Sequence, residues 1–107
     1  MITRLPYTAV TSAGDAYEIR FPLHPETRSP ERVSKLLSSA LEAINRDLEP
    51  GTPISDGDIL QALSMALAIR ARLVDAAPGV SLRLMHELVD SAFAAALEAR
   101  GYRAGRA

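Results

Sequence analysis

ISDGDILQALSMALAIRARLV, residues 54–74, decides the architecture of this chain. Two carboxylates, Asp56 and Asp58, flank Gly57 and precede a long apolar run. In a helix frame Ser55 is the N-cap, Asp56 is N1, Asp58 is N3 and Ile59 is N4. Asp58 can then reach back to the Ser55 N–H as a shortened capping-box acid, with Ile54 and Ile59 placed as a hydrophobic staple. Both carboxylates face the positive end of the helix dipole. A hard-cation site is the competing reading. Calcium needs 6–8 oxygen ligands, and its helical-loop motif needs further acids at alternating positions. Here Ile59 and Leu60 follow instead, so the stretch opens a helix expected over 56–76. Its carboxylates also make this helix end a poor phosphate site.

That helix is unusual in its wheel. Ile59, Leu60, Leu63, Met65, Ala66, Leu67, Ile69, Leu73 and Val74 nearly encircle it. A thin stripe through Asp58, Gln61, Ser64, Ala68, Arg72 and Asp75 is left for water. A helix apolar on most sides is central or lies in an interface.

Working outward toward the N-terminus, residues 30–49 carry Val33, Leu36, Leu37, Ala40, Leu41, Ile44 and Leu48 at steps of three and four. This is one face of an ordinary amphipathic helix. Ser29 is its N-cap and Pro30 its first residue, where the missing proline N–H costs nothing. The same frame absorbs the Ser-Pro pair as a cap rather than a phosphorylation site. Pro50-Gly51 is its stop signal. FPLHPETRSP, residues 21–30, reads as a connector. Before it, Tyr17, Ile19 and Phe21 alternate with polar neighbours, and Leu5, Tyr7 and Ala9 make a weaker set. With Gly14-Asp15 as turn chemistry, a hairpin is predicted, Arg4–Val10 against Ala16–Leu23. Pro6 has no N–H to donate to a ladder, so its nitrogen should face a free edge.

On the C-terminal side, AAPGV breaks the chain and Ser81 is read as the cap of a helix over 82–100, stapled by Val80 and Met85. Its run AFAAAL, residues 92–97, is small enough to let another helix approach closely. Gly101 suits its C-terminal cap, and residues 101–107 are read as a frayed tail. The expected fold is therefore α+β: an N-terminal β-hairpin followed by a three-helix bundle, ββααα. Helices 2 and 3 form an antiparallel helical hairpin, and the whole is a single domain over residues 1–107.

Composition excludes several functions. Net charge is −1, which gives no global attraction to nucleic acid or anionic membrane. Lys35 is the only lysine, and the arginine and alanine bias fits a GC-rich genome. The absence of cysteine removes disulfides, thiolate chemistry and Cys-ligated zinc. MITRLPYTAV lacks the apolar core of a secretory signal, and no run reaches the roughly 20 apolar residues of a membrane span. A cytoplasmic protein is the expectation.

Candidate sites are few. His86, Glu87 and Asp90 partly match a helical zinc motif in which two histidines share a face, with Asp90 in place of the second histidine. His24, the only other histidine, could complete a His86/Asp90/His24 set. A solvated polar face is the simpler reading. Arg70 leaves the polar stripe and falls near Leu63 and Leu67, where it either snorkels to water, pairs with Glu87 or Asp90, or serves an interface. Arg100, Arg103 and Arg106 could touch nucleic acid, but three charges give a salt slope of only about −2.7. No motif calls for a cofactor.

Three helices and two strands have too little surface to cover the central helix, so a symmetric dimer is expected. Leu63, Leu67, Arg70, Ala92, Phe93 and Ala96 are the candidate interface, with pairing of hairpin edges as the alternative contact. The function expected is that of a non-enzymatic adaptor or regulator acting through protein–protein contacts with an unknown protein partner. The alternatives are a nucleic-acid-binding regulator using the hairpin or the arginine tail, and a ligand- or metal-binding protein or enzyme around His86, Glu87 and Asp90.

Overall fold

A computed structural model describes residues 3–11, 14–48, 53–99 and 101–103. A two-stranded antiparallel hairpin is followed by three helices, the ββααα order expected from the sequence. The strands are β1 (Arg4–Val10) and β2 (Asp15–Pro22). The helices are α1 (Pro30–Asp47), α2 (Asp56–Arg72) and α3 (Pro78–Glu98). One element was not expected. Gly101–Arg103, read as part of a frayed tail, forms β3 and pairs antiparallel with Asp15–Tyr17, giving the order β1-β2-β3. A strand this short carries almost no sequence signal; the open side of β2 recruits it. The chain divides into two compact units, residues 1–34 with 88–107, and residues 35–87.

In the first unit the hairpin closes as its sequence demands. Gly14 has φ +90°, which suits glycine, and its N–H donates to the Thr11 carbonyl at 3.0 Å. The Thr11 N–H donates to the Asp15 carbonyl at 2.8 Å, and the Asp15 N–H returns to Thr11 Oγ1 at 3.2 Å. At the other end the Leu23 N–H donates to the Thr3 carbonyl at 2.9 Å. With Tyr7 opposite Ile19, these bonds aim the backbone of odd-numbered β1 residues at β2 and that of even-numbered ones outward. Pro6 therefore sits where its missing N–H interrupts the free edge, as expected. The register puts Leu5, Tyr7 and Ala9 on one face with Phe21, Ile19 and Tyr17. Leu5 and Ile19 are buried there, as is Ala95 on α3. Ala16 is buried on the other face, where β2 is flanked by both neighbours.

The helix starts follow local chemistry. Ser29 Oγ accepts from the Arg32 N–H at 3.2 Å, and Pro30 is the first residue of α1. The predicted Pro50-Gly51 stop lies outside the described residues. At α2 the capping box is complete: Ser55 Oγ accepts from the Asp58 N–H at 3.1 Å, and Asp58 Oδ2 accepts from the Ser55 N–H at 3.2 Å. The helix ends at Arg72, four residues before the predicted limit, with Leu73 as its C-cap.

The start of α3 differs from the sequence reading. The helix begins at Pro78, and the Val80 and Ser81 N–H groups both donate to the Ala77 carbonyl. Ser81 is therefore inside the first turn and is not a cap. Val80 is likewise helical, so it is not the residue preceding a cap in a staple. Proline preset for the first helical position outweighs a serine three residues later.

Two glycine substitutions should act with opposite signs. Gly14→Ala meets no atom within 4 Å, so its cost is backbone conformation alone, about 1–2 kcal/mol of destabilisation. Gly57→Ala lies in α2, with its new Cβ 3.6 Å from Ser55 Oγ, an ordinary contact. It should stabilise by about 0.5 kcal/mol through helix propensity. Thermal melts followed by far-UV circular dichroism check both, and equal effects of the two would contradict the backbone argument.

Candidate functional site

The residues of α2 present the most conspicuous surface. Every residue from Leu60 to Arg70 is exposed. Leu60 remains 67% accessible and Ile69 63%, with Leu63, Met65 and Leu67 also exposed. A surface helix normally buries a stripe at least 100° wide. In α2 no residue is buried. Leu60, Leu63 and Leu67 share one side, and Met65 and Ile69 lie about 150° around the axis with the C-cap Leu73. The residues that sequence reading marked as an interface on this helix, Leu63 and Leu67, thus belong to one of two apolar sides. Met65, Ile69 and Leu73 make the other; all three belong to the set expected to encircle the helix, though none was placed in the candidate interface.

Arg70 is exposed, which fits the alternative in which its side chain reaches water. Its guanidinium keeps its hydration, which a partly screened carboxylate would repay poorly. On α3, Phe93 is 62% accessible, while Ala92 and Ala96 are half-buried. Val89 and Leu97 are exposed beside Phe93, so an apolar stripe also runs along the C-terminal half of α3.

The sites with chemical potential gain little from the geometry. His86, Glu87 and Asp90 are exposed on α3. His24 Nδ1 accepts from the Glu26 N–H at 3.1 Å, a local turn contact. Among the described residues, no group of three or more His, Asp or Glu side chains is gathered to hold a metal ion. Arg100 and Arg106 lie outside the described residues, and Arg103 is the last residue of β3. Among the described residues, no helix is long and apolar enough to cross a membrane.

Among the described residues, each unit carries a hollow. The first, about 1060 Å³, lies along the hairpin and the end of α3. Its charged lining is Arg4, Arg20, Glu18 and Glu98, two of each sign, so it concentrates neither an anion nor a cation. Arg4 Nη1 is occupied in part by the Arg20 carbonyl at 3.2 Å. The second, about 250 Å³, lies where α2 ends and α3 begins, with Ala68, Ala71, Leu82 and Met85 in its wall. Ser81 also lines it, and Ser81 Oγ is buried without a hydrogen-bond partner. Nothing in either hollow forms a nucleophile–base pair or a donor cluster.

No protein family model matches the chain, and neither a curated protein nor a solved structure is similar to it.

The Ser81 hydroxyl gives a direct stability test. Removing a buried, unsatisfied polar group relieves its desolvation cost without breaking a bond. Ser81→Ala should therefore raise stability by about 1 kcal/mol, read as a higher denaturant midpoint at unchanged slope. A loss of that size would show that the hydroxyl has a partner in solution.

Proposed function

We propose that this is a non-enzymatic protein that works as a homodimer through protein–protein contacts, as an adaptor or regulator. One observation carries the reading: α2 holds Leu60, Leu63 and Leu67 on one side of its axis and Met65 and Ile69 on the other, and these five are exposed in the single chain. Exposed apolar area of this kind marks an association surface. Leu63, Leu67 and Arg70 on α2 and Ala92, Phe93 and Ala96 on α3 are the assigned contact residues. Alanines flanking a large aromatic let a partner helix come close while the ring supplies an anchor. Arginine suits such a setting because its planar, weakly hydrated head tolerates partial burial.

A second copy is the simplest partner, since a twofold axis matches an apolar helix face to itself. Edge pairing of hairpins supports the dimer less well. On β1 only Arg4, Thr8 and Val10 offer outward N–H groups, and Pro6 breaks their series, a device that blunts strand edges. A mixed-sign hollow and a net charge of −1 favour protein over nucleic acid as the further partner.

Light scattering coupled to size-exclusion chromatography at micromolar concentration should give twice the 11.5 kDa of one chain. Phe93→Asp should raise the dimer Kd by roughly 30-fold or more, the equivalent of about 2 kcal/mol for an interface anchor. A single monomeric species in the wild type would sink the reading.

A further inference from the structure

Resting on the dimer reading, we infer that α2 is covered by a second copy on both of its apolar sides, and that the helical unit folds only when so covered. Three observations lead there. First, among the described residues the buried apolar ones are Leu5, Ala16, Ile19 and Ala95, and every one belongs to the unit built on the sheet. In the other unit, residues 35–87, Ser81 is the only buried residue among those described. That unit has no apolar core of its own. A lone helix of 17 residues is marginal in water without tertiary cover.

Second, the two sides of α2 point too far apart for one flat contact. Leu60, Leu63 and Leu67 centre about 150° from Met65, Ile69 and Leu73. A helix packed against one face leaves the other in water. Third, the area of one side is too small. Each side offers roughly 300–350 Å² of apolar side chain, against ~800 Å² buried by each partner of a stable complex. The two sides together come close to that range, which either one alone does not. The second copy must therefore straddle α2.

The polar stripe agrees with this placement. Gln61, Ser64 and Arg72 lie between the two apolar sides, where a wrapped helix keeps one line of contact with water. Ser64 Oγ satisfies itself locally, donating to the Gln61 carbonyl at 2.8 Å, so the stripe asks for no partner.

The test uses the whole chain and needs no variant at first. Far-UV circular dichroism and scattering mass are followed through a roughly hundredfold dilution from ~100 µM, where mass action separates associated from free chains. The helical signal should fall together with the mass. Leu67→Asp and Ile69→Asp, one on each side, should each lower mass and helicity at concentrations where the wild type is assembled. Gln61→Glu on the polar stripe should leave both unchanged, and its dissociating the assembly would overturn the assignment of sides. An assembly that keeps its mass and helicity with Ile69→Asp is held on one side only; the dimer reading then stands and this inference falls. A monomer with full helicity at every dilution removes both.

Discussion

Apolar side chains stand exposed on two sides of α2, and this uncovered area is the constraint that separates it from an ordinary amphipathic helix. The side chains of α2 are anchored at the helix start by Ser55 and Asp58, which close a reciprocal capping box. They are released at Leu73 just after Arg70 and Arg72, whose charges suit the negative end of the dipole. The helix is thus well begun and well ended but uncovered along its length. Hydrophobic cover, not capping, supplies most helix stability in proteins, so good ends alone do not account for a stable α2.

The sheet unit solves the same problem differently. It holds all five aromatic residues of the chain, and Leu5, Ile19 and Ala95 leave water. A two-stranded hairpin is marginal on its own. The third strand, Gly101–Arg103, raises the number of paired backbone groups on β2 and returns the chain from α3 to the sheet. Pro6 guards the opposite edge. The contrast assigns roles: a unit with its own small core, and a helical unit whose apolar surface is presented outward. On the proposed function this outward surface is the working part of the molecule.

Local signals in the sequence were legible wherever one residue type has one dominant backbone use. Gly14 in the hairpin turn, Pro30 after Ser29, and the Ser55–Asp58 pair were all readable, because each satisfies or removes a specific N–H within four residues. The same logic failed at Ser81, where two local signals competed. Pro78 preset the first helical position, and the serine was drawn into the turn with its hydroxyl unpaired. Strand β3 was not legible, since a Gly-Tyr-Arg run has no periodicity of its own. Its conformation comes from an open ladder on a strand more than eighty residues earlier in the chain. The apolar spacing of the sequence already named Met65, Ile69 and Leu73 together with Leu63 and Leu67 as nearly encircling this helix, but only Leu63 and Leu67 of these were put in the candidate interface.

By itself the sequence determined the order of the first five elements, the hairpin, two of the three helix starts and the excess of apolar residues on α2. These follow from steric and hydrogen-bond rules acting over a few residues. Only the tertiary structure decided that α3 starts at Pro78, that residues 101–103 join the sheet, and that α2 keeps both apolar sides uncovered within one chain. Whether an apolar residue is buried depends on what arrives from distant parts of the chain, and periodicity records only which residues lie side by side.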